Sequence, residues 1–157
     1  MAAAGFFVLG VLGLGMIIIL AIVFVIVYVI VEALKDSLRF GYREIPLPQG
    51  IDTASLMPRL LEELKTRGID VHTEYGQHGG VVLDGALVKH RVRPLPGNRI
   101  AVWAEVTPLA AALGVVLLFV HIVLALLVGL LAYLQYDNQR RGLRAALEAA
   151  LGREVYI

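Results

Sequence analysis

The chain has no cysteine among its 157 residues, which excludes disulfides, thiolate metal centres and a cysteine nucleophile. Aromatic residues are few, at 8% with a single Trp. Charge is scarce too, at 17% Asp, Glu, Lys and Arg, balanced to a net +1. That balance gives no electrostatic argument for nucleic acid. Catalytic patterns are also missing. The sequence holds no HExxH zinc pattern, no Ser–His–Asp order and no nucleophile elbow. Glu62 and Glu63 diverge as helix neighbours and cannot work as an acid–base pair. The glycine-rich stretch Gly76–Gly80 leads into a strand, whereas a phosphate loop needs a helix N-terminus after it. The residues therefore predict a protein that is not an enzyme and carries no cofactor.

What the chain has in abundance is apolar sequence, 59% of its residues, with a mean hydropathy of +0.78. Most of it lies in two runs, residues 5–34 and residues 108–136, each longer than the roughly 20 residues that cross a hydrocarbon core as a helix. The first run is dense in β-branched residues, from Met16 to Val27, but in lipid only a helix satisfies its own backbone. It has no basic n-region, exceeds the roughly 7–15 apolar residues of a signal peptide and is not closed by a small-residue cleavage site. It reads as a retained anchor leaving through Glu32, Lys35 and Asp36. Gly10, Gly13 and Gly15 gather near its other end.

The second run carries small residues at helical spacing. Ala110 pairs with Gly114 and Ala125 with Gly129, and Gly114, His121, Ala125, Gly129 and Ala132 are the residues predicted to pack against another helix. His121 is the one ionisable side chain well inside a run. Packing with a hydrogen bond is the reading adopted for it; a haem ligand and a proton relay are the alternatives.

Between the runs, residues 35–50 read as an interfacial segment and linker, with a brief helical extension to Tyr42 and a break at Pro46, Pro48 and Gly50. Residues 51–107 read as a small α+β domain. A helix begins at a Thr53 or Ser55 cap, carries Met57, Leu60, Leu61 and Leu64 on its apolar stripe and stops at Gly68. The period then drops to two over Ile69–Tyr75, Val81–Leu83, Ala86–Arg93 and Arg99–Val106, with Asp84-Gly85 as a hairpin turn. The expected fold is one helix on an antiparallel meander of three or four strands, flanked by two transmembrane helices. Residues 137–157 add a short amphipathic tail helix with a weak point at Gly142.

Lys89, Arg91 and Arg93 alternate along one strand, and Arg99 follows across the turn, giving a basic surface row beside Trp103. A solvated strand face is the first reading of this row, and contact with anionic lipid or an acidic partner the second. His72, His78 and His90 share no ligand spacing, so no metal site is expected.

The flanking charges disagree about orientation: Lys35, Arg39 and Arg43 favour a cytoplasmic domain, while Arg140, Arg141 and Arg144 favour a cytoplasmic tail. The lack of a basic residue before the first run tips the expectation to a cytoplasmic domain of a multi-pass cell-membrane protein. The expected role is a non-enzymatic accessory or scaffold subunit of a larger membrane complex. Its partners would be other membrane-protein subunits or a second copy, and the lipid bilayer, with no nucleic acid and no identified small molecule. A membrane-tethered sensing domain for anionic lipid or an acidic ligand is the alternative, and proton or electron transfer through His121 the third.

Overall fold

The computed structural model describes residues 2–34, 38–74 and 79–157, with side chains from Gly13 onward. The Lys35–Asp36 helix exit, the turn before Gly79 with its His78, and the surroundings of Gly10 lie outside the described residues. The elements run α1 (Ala2–Ala33), β1 (Arg39–Pro46), α2 (Thr53–Thr66), β2 (Val71–Glu74), β3 (Gly80–Leu83), β4 (Val88–Leu95), β5 (Arg99–Val106), α3 (Pro108–Val120) and α4 (Ile122–Leu151). The strands form one antiparallel sheet in the order β1-β5-β4-β3-β2.

The α+β layout is as expected, with one strand more. Residues 39–46, read as helix end and linker, are instead edge strand β1, paired with β5 from Arg39 opposite Glu105 to Pro46 opposite Arg99. Its period is hidden by a bulge between Phe40 and Arg43, where Gly41 takes a φ of 65°. Pro46 is tolerated because its missing N–H costs nothing at a sheet edge.

The cap of helix α2 is Asp52, just before the expected Thr53 or Ser55. Asp52 Oδ1 accepts from the Ser55 N–H at 2.8 Å, satisfying one free donor of the first turn. Its buried stripe is Leu56, Met57, Leu60 and Leu64, with Leu61 packed at the margin. These side chains meet Val81, Leu83, Val92, Ile100 and Val102 from one face of the sheet.

The third wall of this core is the chain's last helical stretch. Leu143, Leu147 and Leu151 are buried against α2 and the sheet. The tail helix expected over 137–157, outside the domain, is instead the second half of the 30-residue α4 and part of the domain core. The helix does not break at Gly142. A side chain there would run into Ile69 Cδ1, so glycine serves close packing at this position. Gly152, with φ 65°, ends the helix.

One continuous helix across residues 108–136 is also corrected. Thr107 caps α3, its hydroxyl accepting from the Ala110 N–H at 3.2 Å, and α3 ends at Val120. His121 is extended, with φ −161° and ψ 99°, and α4 starts after it. The chain then doubles back. At one end, Thr107 Oγ1 donates to Ala86 O at 2.7 Å; at the other, Gln135 Oε1 accepts from the neighbouring Leu87 N–H at 2.9 Å. A straight helix from Thr107 to Gln135 would be about 42 Å long and could not touch adjacent peptides with both ends. Helices α3 and α4 are therefore the legs of a hairpin rooted in the sheet, with His121 at its tip.

Helix α1 packs along α3. Among the described residues, two helical segments are long and apolar enough to cross a membrane, Gly13–Ala33 and Ile122–Leu151, and the most apolar stretch of each is little buried. Of the second, only the half before Gln135 stands clear of the domain.

Candidate functional site

The five residues expected to pack against another helix are divided by the hairpin. Gly114 lies on the ascending leg, His121 at the tip, and Ala125, Gly129 and Ala132 on the descending leg. Ala125 is buried, Gly114 and Ala132 are partly covered, and Gly129 and His121 are exposed. Ala110 and Ala112 are buried on α3. Small residues thus let α3 lie close to its neighbours within this chain, while Gly114 and Gly129 have open space where a Cβ would stand. Around them the large side chains point outward, reaching 87% exposure at Phe119.

The tip has a definite chemical character. His121 N–H donates to Leu117 O at 2.7 Å, and Ala125 N–H donates to His121 O at 3.2 Å. His121 supplies α4 with no side-chain cap. Helix geometry leaves the first N–H groups of α4 and the last C=O groups of α3 without intrahelical partners. The apolar hairpin therefore ends in a small cluster of open polar backbone groups beside an exposed imidazole.

A polar seam fixes the hairpin's base. Gln135 Oε1 accepts from Leu87 and Val88 N–H, at 2.9 and 3.1 Å. One turn on, Gln139 Nε2 donates to Asp84 O at 2.8 Å, which orients its amide so that Oε1 faces His90 Nδ1 at 2.9 Å. An amide oxygen only accepts, so His90 carries its proton on Nδ1. His90 is 3% exposed and stacks on Tyr136, with centroids 5.2 Å apart. Burial pushes its pKa down, partly opposed by the Gln139 hydrogen bond, so the ring is held neutral. Gly85 makes room for the turn and this seam: a Cβ there would run into the Val88 carbonyl oxygen and sit 2.7 Å from both Gln135 Nε2 and Gln139 Nε2. The glutamines did not stand out in the sequence, and Gly85 did so only as a turn residue, although Gln135 and Gln139 at i, i+4 share one side of the helix.

The basic row does share one sheet face, as its alternation predicts, but every member meets a carboxylate. Lys89 Nζ is 3.2 Å from Asp84, and Arg91 Nε is 2.6 Å from Glu105. Arg93 Nη2 is 3.1 Å from Glu74, and Arg99 Nη1 is 2.8 Å from Glu44. Burial works against the Glu74 charge, but the Arg93 hydrogen bond and the Arg91 charge outweigh it and hold its carboxyl below the ordinary value. At Asp84 burial is likewise overcome, by His72 and Lys89. Arg39 and Arg93 both lie over the Trp103 ring, at 5.4 and 5.6 Å from its centroid, which covers the indole beside the basic row. The row is internally neutralised.

His72 contacts Asp84, while His90 is enclosed on the opposite face of the sheet. Among the described residues no group of three His, Asp or Glu side chains converges to hold a metal ion. No family model, curated protein or solved structure matches this chain.

Proposed function

We propose that this protein is a non-enzymatic integral membrane accessory or scaffold subunit, holding its α+β domain against the membrane face and assembling with another membrane-protein subunit or a second copy. The observation that carries this reading is the tip at His121. Large apolar side chains surround α1 and the hairpin: Ile17 is 64% exposed and Leu126 67%, an arrangement suited to lipid. Open backbone groups inside such an apolar unit are stable at membrane depth only against protein or water. A partner helix offering a polar side chain would satisfy them and His121 together.

The domain supports the same reading by how its polar residues are engaged. Gln135, Gln139 and His90 fasten α4 to the sheet, and the carboxylates of Glu74, Glu105, Asp84 and Glu44 are occupied by the basic row. The neutralised row gives no support to recognition of anionic lipid or an acidic ligand through it. Purification in mild detergent with native mass measurement tests the proposal. A co-purifying membrane protein or a stable homo-oligomer is expected; a monodisperse monomer without companions overturns it.

A further inference from the structure

We infer that the α3–α4 hairpin is re-entrant: it dips into the bilayer from the domain side and returns, so α1 alone crosses the membrane. This rests on the membrane reading above and goes further, because it identifies the surface that meets lipid and fixes the topology. The first support is length. From Pro108 to His121 the leg rises about 20 Å, whereas a hydrocarbon core is about 30 Å thick. Helix α1, with 32 residues, is about 48 Å long and has ample reach.

The second support is the hairpin's root. Thr107 and Gln135 bond to adjacent peptides of the same β3–β4 turn, and the rest of α4 is buried in the domain core through Leu143 and Leu147. Taking α4 to the opposite face would require both attachments to be undone. The third is the boundary itself. Tyr28 and Tyr133 are exposed near the domain ends of their helices, where interfacial aromatics belong, and Arg140 and Arg141 follow just beyond.

Re-entry also removes the conflict between the flanking charges. All 14 Lys and Arg residues follow Leu34 in the sequence, and in a re-entrant chain all of them stand on the domain side. Lys35, Arg39 and Arg43 then agree with Arg140, Arg141 and Arg144, and the positive-inside rule places domain and tail together in the cytoplasm.

The absence of native cysteine makes the test clean. Single-cysteine variants A2C, E62C, N138C and H121C of the full chain would be labelled with a membrane-impermeant maleimide in sealed vesicles of each orientation. Glu62 and Asn138 are exposed, so these substitutions leave the core intact. Expected is labelling of E62C and N138C from one side and A2C from the other, with H121C reacting only after detergent is added. Labelling of N138C from the A2C side overturns re-entry while leaving a membrane protein. Ready labelling of H121C from the A2C side also overturns it, because the tip would then emerge. Release of the chain by alkaline carbonate, with all four sites labelled in every preparation, overturns the membrane reading itself.

Discussion

The sheet domain and the apolar helices are built to opposite rules. In the domain, Leu83 and Leu147 are fully enclosed and charge lies on the outer face, each cation of the basic row against a carboxylate. In α1 and the hairpin the small residues Ala110, Ala112 and Ala125 turn inward, and Ile, Val, Leu and Phe turn outward. A buried Leu in the domain is held by exclusion from water, so its removal costs transfer energy plus a cavity. An outward Leu on the hairpin has no such cavity to leave. The difference teaches that the two parts turn opposite kinds of side chain to their surroundings, and that α4 passes from one to the other within a single helix.

Substitutions on α4 sharpen that contrast most directly. Leu147→Ala should destabilise the domain by about 2–5 kcal/mol, read from urea unfolding in micelles, whereas Leu126→Ala on the same helix should change it by less than about 0.5 kcal/mol. Equal effects would break the comparison. Gly85→Ala should come next, at about 1–3 kcal/mol, since its Cβ overlaps the Val88 carbonyl oxygen and the ends of the two glutamines, while Gly129→Ala meets open space and should be neutral. Gln139→Ala leaves the buried His90 and the Asp84 carbonyl unpaired; a loss of about 1–3 kcal/mol is expected from thermal melts.

The same seam should make domain stability depend on pH in a definite sense. The folded pKa of His90 lies below its ordinary value of about 6.5, so the unfolded chain takes up the proton first as pH falls. Stability from this group is complete above that ordinary value and is lost as pH drops through the folded pKa. Comparing unfolding from pH 8 to pH 5 with His90→Gln should show a shallower slope in the variant; identical slopes would exclude His90 as the source. The smallest effect belongs to the outer face. Arg93→Gln breaks a partly exposed pair with Glu74 and should cost no more than about 1 kcal/mol, less at high salt.

Much of the domain was legible beforehand. The α2 stripe and the alternation of β4 and β5 follow from periods of 3.6 and 2. Strand β1 was not, because the bulge at Gly41 breaks its alternation and its pairing with β5 lies some 60 residues away in the chain. The basic row was visible as a row but not as a neutral one. Glu74 and Glu44 reach it from β2 and β1, and strand order decides which carboxylate meets which arginine. The small-residue stripe looked like one face because a helical period carries no mark of a reversal at a single residue.

The sequence by itself determined which stretches are apolar, where strand alternation takes over after α2, and on which side of α1 every basic residue lies. Those are local or additive properties of side chains. Only the tertiary structure decided that the second apolar run turns back at His121 and that the tail belongs to the core. One extended residue between two helices is permitted by its own torsions alone. Its direction is set far away, by Thr107 on Ala86 and Gln135 on Leu87, where backbone groups that must be paired find their partners.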